Sequence, residues 1–307
     1  MNMPLIEPYP SRSANEAALM RRREPVIWSR DANRPTWLSQ NDAERYSSTG
    51  FLVLPGLLSA ADVQALTLEM HGLLQRSRSQ DVESVIREEG SDEVRSVFAL
   101  PDVSEVFARL TRHPRLLEFA RYVLDDEVYL HQTRLNFKPG FQGKEFYWHS
   151  DFETWHVEDG MPAMRALSCS ILLTENNEFN GPLMVVPGSH NIYVSCLGET
   201  PPENYRNSLV RQYVGTPSDE VLRLLTDEAG GLSSVTGPAG TVAFFDCNLL
   251  HGSAGNITPY PRSNVFLVYN SVKNRLGSPL YDLKPRPEHI AHRSNAIAIL
   301  PLCQDSP

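Results

Sequence analysis

Cysteine is scarce in this sequence. The 307 residues hold four, Cys169, Cys196, Cys247 and Cys303, widely spaced and without a CxxC pair. That pattern excludes a disulfide framework and a cysteine-based zinc site, and it is the usage of reduced thiols in a cytosolic protein. Long apolar runs are missing too, none approaching the ~20 residues needed to cross a bilayer. Residues 1–28, "MNMPLIEPYPSRSANEAALMRRREPVIW", have no cationic start followed by an apolar block, so no secretory leader is expected and the expected location is the cytoplasm. Positive charge is in deficit, with 28 Lys and Arg against 37 Asp and Glu, a net charge of −9. This balance argues against nucleic acid or an anionic membrane as the main partner. Internal repeats and long low-complexity tracts are also lacking.

What remains is an ordinary globular composition, 41% hydrophobic and 21% charged. Residues 1–45 are polar and rich in Arg, Asn and Pro, the texture of an irregular arm; residues 46–307 read as one domain. "GFLVLPGLLSAADVQALTLEMHGLL" (50–74) offers a short strand, a Pro-Gly break and a helix. Ser59 with Asp62 forms a capping-box pattern, and Val63, Leu66, Met70 and Leu73 recur at helical spacing. A second helix fits 114–124, with Pro114 in its first turn. From 128 onward short β-rich runs follow, at 128–140, 168–175, 182–190, 241–246 and 264–272, interrupted by a helix near 218–229. Helices first and many short strands after them predict a mainly β fold with flanking helices, a double-stranded β-helix of the jelly-roll, cupin-like kind.

The segment "YWHSDFETWHVEDG" (147–160) puts His149, Asp151 and His156 within eight positions. Residues two apart on a strand share a face, so His149 and Asp151 can aim together from one strand or its end. His156, seven residues from His149, falls out of that phase. The apolar strand "GTVAFFDCNLLHGSAGN" (240–256) supplies His251 instead, 102 residues beyond His149. Two His and one Asp on one side of a metal leave neighbouring positions open, the facial triad suited to non-haem Fe(II) and O2. An HxD pair recurs by chance, and a lone histidine near a strand end is ordinarily a hydrogen-bonded core residue. His131, on the strand "VYLHQTRLNF", reads equally as core or pocket lining. A further cation adds weight. Arg262 follows His251 by eleven residues, and Lys138 competes with it as the anchor for the far carboxylate of a chelating dicarboxylate.

These residues, HxD, a distal His and an Arg eleven positions on, resemble the phytanoyl-CoA dioxygenase-like group of Fe(II)/2-oxoglutarate oxygenases. The stretch "FYWHSDFETWHVEDGMPAMRALSCSILLTENNEFNGPLMVVPGSH" (146–190) is similar to the signature of the ectoine hydroxylases within that group, and the similarity runs from about residue 40 to about residue 300. The resemblance implies hydroxylation of the compatible solute ectoine to 5-hydroxyectoine, in the service of osmotic stress. Fe(II) would be the metal, 2-oxoglutarate and O2 the co-substrates, and succinate and CO2 the by-products. It implies His149, Asp151 and His251 as iron ligands, Lys138 and Arg262 as 2-oxoglutarate contacts, and Gln132 and Trp155 as ectoine contacts. Asp151 stands where related halogenases carry a small residue, which favours hydroxylation. A homodimer is also implied.

Ectoine carries a delocalised cationic ring and a carboxylate, so its site should combine an aromatic face with a few polar groups. Trp155, Thr154, Gln132 and Ser170 supply those types, while Trp148 reads as core. Period-2 alternation predicts that Leu130 and Arg134 share the inward face of Gln132 and that His131 and Thr133 point the other way. Two other readings stand beside this one: a hydroxylase of another small polar molecule such as an amino acid, and a non-catalytic cupin-like metal sensor.

Overall fold

The computed structural model describes residues 7–12, 18–88, 90–294 and 296–302. Cys303 and parts of the expected arm, residues 1–6 and 13–17, lie outside the described residues. The arm leads into strand β1 (Ala18–Arg21), helix α1 (Gln40–Thr49) and β2 (Phe51–Leu54). Helix α2 (Ala60–Arg78), strands β3 (Val85–Arg87) and β4 (Val94–Phe98), and helices α3 (Leu100–Val103), α4 (Glu105–Leu110) and α5 (Pro114–Leu124) come next. Strands β5 (Val128–Lys138) and β6 (Phe146–His149) then flank a turn, and helix α6 (Asp151–Asp159) follows directly. After it come β7 (Ala166–Leu172), β8 (Leu183–Val185), β9 (Ile192–Ser195), α7 (Tyr205–Ser208) and α8 (Asp219–Glu228). The chain closes through β10 (Ser233–Val235), β11 (Val242–Asp246), β12 (His251–Ser253) and β13 (Arg262–Ser271).

Local chemistry accounts for the helical part. Ser59 accepts from the Asp62 N–H while the Asp62 carboxylate takes the Ser59 N–H, a complete capping box on α2. Leu66, Met70 and Leu73 are buried on its inner face, and Val63 packs beside them, partly exposed. Pro114 opens α5 as expected, because a helix's first N–H needs no partner. Ser218 caps α8 through the Val221 N–H, and the helix ends before Gly230 and Gly231.

Two antiparallel sheets form the core. The larger has seven strands in the order β2-β11-β7-β13-β5-β4-β3, the smaller four in the order β10-β8-β12-β6. One face of the large sheet, with Leu135, Ile171, Phe244 and Val265, packs on Tyr46, Leu66, Met70, Phe107 and Phe119 from the helices. Its other face, with Leu172, Phe245 and Phe266, meets Leu183, Val185 and Val235 of the small sheet. Burying one such side chain contributes roughly 1.5–3 kcal/mol, so these two layers dominate stability. This is the double-stranded β-helix, with α1 to α5 on the outer face of the large sheet and α8 beside Trp148 of the small one.

Two expectations are corrected. The run 182–190 is a strand only through Val185, because a short 3-10 turn takes over at Ser189–Asn191. The alternation along β5 also breaks. Gln132 pairs with Val268 and Leu130 with Tyr269, so His131 is an extra residue, a β-bulge. The phase reverses there: Leu130 joins the helix-side core, and His131 turns inward beside Trp155, with ring centroids 5.0 Å apart. Leu130 therefore does not share Gln132's face, and His131 does not point away from it. Arg134 does line the inner cavity, and Thr133 points outward, its hydroxyl accepting the Leu100 N–H at 2.9 Å.

Candidate metal centre and its cavity

His149 ends β6 and His251 begins β12, and the two are direct cross-strand partners with ring centroids 4.2 Å apart. Ser150 then caps α6 through the Glu153 N–H, so Asp151 is the first helical residue and not a strand neighbour of His149. The chain turns back at that cap. Asp151 Oδ1 lies 3.6 Å from His149 Nε2 and 3.9 Å from His251 Nε2, and the three ligand atoms all lie within 4.8 Å of one another. Each ring has its Nδ1 on a main-chain carbonyl two residues back, Tyr147 at 2.8 Å and Leu249 at 3.0 Å. A carbonyl can only accept, so both Nδ1 atoms carry the hydrogen and both Nε2 lone pairs face the Asp151 side. Ser168 Oγ donates to the second Asp151 oxygen at 3.1 Å.

Electrostatics prepare the same donor set. Burial, then the neighbouring His149, lower His251 to about 4, so it is neutral near pH 7. Burial works against ionised Asp151, but His251, His149 and Arg134 together hold it well below the usual carboxylate range. Two imidazoles with Nδ1 tied to carbonyls and one carboxylate, converging from rigid elements, fit a divalent cation with open coordination positions.

The cavity beside them is cationic. Lys138 and Arg262 are register partners on β5 and β13, and both line it with Arg134, Arg95, His149 and His251. Lys138 Nζ donates to Ser253 Oγ at 2.8 Å and to the Ala254 carbonyl. Burial, then Arg262 and Arg95, push Lys138 down to about 6. Arg262 falls to about 10, through burial and then Arg95 and Arg134. Of these basic side chains only Arg95 has a carboxylate partner among the described residues, Glu88 at 2.7 Å. The Nε atoms of Arg134 and Arg262 are buried without a hydrogen-bond acceptor among the described residues. Buried donors on unneutralised cations call for an anion between them.

The remaining sequence candidates are placed as follows. Gln132 is buried on β5, its amide donating to the Ile290 carbonyl at 2.7 Å. Trp155 is 3% exposed on α6, four residues from Asp151 and against the His131 ring. Ser170 is buried on β7, paired between Ala243 and Phe266. Thr154 is taken by Arg12 of the arm at 3.2 Å, and Trp148 packs against a separate apolar cluster. His156 stands apart, its nitrogens 2.7 Å from the Met161 carbonyl and 2.7 Å from Glu7. Sequence reasoning passed over Arg95, Ser168, Ser253 and Phe266. Ser253 was within reach, two residues past His251 on the same strand face. Arg95 sits on a strand that the sequence analysis did not find.

A double-stranded β-helix holding two histidines and one aspartate beside an anion-seeking cavity is the architecture of the non-haem iron oxygenases. The chain belongs to the phytanoyl-CoA dioxygenase (PhyH) family, which it matches over residues 46–264. It is 51% identical to an ectoine dioxygenase of Bordetella bronchiseptica, over 98% of this chain and 97% of that protein. Crystal structures of EctD from S. alaskensis superimpose closely. The form with bound Fe has a TM-score of 0.84 at 45% identity, covering 96% of this chain and 98% of that one. The form with 2-oxoglutarate and 5-hydroxyectoine has a TM-score of 0.85 at 46% identity, with the same coverage. No helix among the described residues is long and apolar enough to cross a membrane.

Proposed function

We infer that this chain is an Fe(II)- and 2-oxoglutarate-dependent dioxygenase that hydroxylates ectoine to 5-hydroxyectoine. The observation that carries the reading is the convergence of His149 Nε2, His251 Nε2 and Asp151 Oδ1 beside the basic side chains Lys138, Arg134 and Arg262. Likeness to ectoine dioxygenases over nearly the whole chain, and to an EctD structure holding 2-oxoglutarate and 5-hydroxyectoine, supports the substrate. The net reaction joins ectoine, 2-oxoglutarate and O2 and yields 5-hydroxyectoine, succinate and CO2. The four electrons that reduce O2 come in equal halves from decarboxylation of the oxo acid and from the ectoine C–H bond.

His149, Asp151 and His251 hold the iron, which supplies the oxygen activation that side chains lack. The Tyr147 and Leu249 carbonyls and Ser168 keep those three side chains aimed. Lys138 and Arg262 take the far carboxylate of 2-oxoglutarate, a charge-assisted contact worth about 1.5–3 kcal/mol. Gln132 and Trp155 orient ectoine, with Ser170 on β7, two strands from β5 in the same sheet; Thr154 acts through its contact with the arm. The apolar layer of Leu172, Phe245 and Phe266 limits water around the reacting atoms. Residues 1–45, which include β1 and the start of α1, serve as the arm, and 46–307 as the catalytic domain. Three buried free thiols suit a reducing cytoplasm. A homodimer and a role in osmotic stress complete the reading.

The test is substitution of each ligand in turn. His149→Ala, Asp151→Ala and His251→Ala are expected to lose bound iron and turnover, while His156→Ala keeps its iron. Equal iron loss in the His156 and His251 variants would mean that the wrong histidine has been assigned.

A further inference from the structure

Helix α6 carries Asp151 at its first position and Trp155 one turn later, and the N-terminal arm grips its outer side. Arg12 donates to Glu153 through Nε at 2.9 Å and Nη2 at 2.6 Å, and to Glu158 through Nη1 at 2.6 Å. Nη2 also reaches Thr154, and Nη1 reaches Thr200 at 3.0 Å. The Arg12 side chain is fully buried, and those of Glu153 and Glu158 are 1% and 5% exposed. The arm's backbone is fixed at the same point. Arg12 N donates to the Cys196 carbonyl, Ser11 Oγ accepts from Cys196 N and donates to Glu153, and Tyr281 donates to the Ser11 carbonyl. Arg12 has φ +57°, a left-handed conformation that a non-glycine residue keeps only when its surroundings impose it. Gly215 closes over the ion pair so tightly that a Cβ there would lie 2.3 Å from Glu153 and 2.5 Å from Arg12.

Apolar packing would tether an arm at less desolvation cost than a buried cation with two carboxylates. A planar fork shared between Glu153 and Glu158 does what apolar packing does not, because it fixes where along and around the helix the contact falls. The ends of α6 have their own fastenings. Ser150 donates to Asn248 at 3.0 Å, Phe152 N donates to the Cys247 carbonyl, and Arg286 holds Asp159. Between those ends Arg12 joins the first turn, at Glu153, to the last, at Glu158, where Asn204 also donates at 2.8 Å, and so spans the stretch in which Trp155 faces His131.

We propose that Arg12 is a positioning residue for the oxygenase reaction: its fork on Glu153 and Glu158 sets the register of α6 and so holds Trp155 against His131, one turn from Asp151. This rests on the functional reading given above. Two variants test it. Arg12→Lys keeps the charge but loses the fork, and Arg12→Met/Glu153→Gln/Glu158→Gln removes all three charges so that no buried ion is stranded. Thermal unfolding of each metal-free protein is measured, with Mn(II) affinity by titration and Michaelis constants for both organic substrates. Both variants are expected to raise the ectoine KM about 10-fold and to lower hydroxylated product per succinate at least about twofold. The 2-oxoglutarate KM and the Mn(II) affinity are expected to stay within about threefold, because β5, β13 and the α6 N-terminus are held independently. Unchanged ectoine KM and product ratio, or parameters that all fall together in step with thermal stability, would overturn the proposal. Wild type, run in parallel, keeps the two ideas apart: if it makes no hydroxyectoine the functional reading fails and this inference with it, whereas normal wild-type turnover with unaffected variants removes Arg12 alone.

Discussion

Lys138 and Arg262 face each other across β5 and β13, yet burial treats them differently. Arg262 at about 10 stays charged near neutrality, while Lys138 at about 6 has given up its proton over most of that range. An unfolded Lys138 would hold its proton to about 10.5. The unfolded chain thus binds the extra proton between those values, so this residue's destabilising effect is complete below pH 6 and is relieved as pH rises towards 10. A dianion placed between Lys138 and Arg262 restores the proton. Calorimetric titration of the metal-loaded protein with 2-oxoglutarate, in buffers of different ionisation enthalpy, is expected to record uptake of close to one proton at about pH 7.5 and much less at about pH 5.5. Lys138→Ala should abolish that difference, and its persistence would place the proton elsewhere. Arg262→Ala and Lys138→Ala should each raise the 2-oxoglutarate KM on the order of 10–100-fold while changing the ectoine KM little. If neither does, the anchor lies elsewhere. The competition between these two cations was visible in the sequence, but their register pairing was not, because nothing local says which residues of two strands come opposite.

At the scale of elements, legibility followed the range of the interaction that fixes each one. The α2 capping box and the Pro114 start of α5 depend on neighbours within four residues, and the sequence announces them. Ser59→Ala, which touches nothing in the site, is expected to cost about 1 kcal/mol, read as a fall of a few degrees in Tm, with kcat unchanged. The β5 bulge depends on a long-range pairing with Val268 and Tyr269, and no residue near His131 betrays it. Helix α6 was hidden for another reason: its polar and apolar residues are nearly all buried, so it has no exposed polar face to mark it. Gln132 stands just after the bulge with its amide on the Ile290 carbonyl. Gln132→Ala should keep its metal yet raise the ectoine KM and release more succinate than hydroxylated product. A product-to-succinate ratio equal to wild type, with unchanged ectoine KM, would remove Gln132 from the substrate site.

The whole molecule joins two sheets so that one interior holds a metal triad, a cationic pocket and an apolar lining. Helices α1 to α5 pack on the outer face of the large sheet, α8 packs beside Trp148 of the small sheet, and both histidines stand on adjacent strands of that small sheet. In that interior both atoms of one O2 are spent, one on ectoine and one on the oxo acid. Incubation with Fe(II), 2-oxoglutarate, ectoine and 18O2, followed by mass analysis, tests it directly. The expected result is 5-hydroxyectoine heavier by one 18O, an equal amount of succinate carrying the other, and loss of both products in Asp151→Ala. Unlabelled hydroxyectoine, or succinate formed at the same rate with no hydroxylated product, would contradict it.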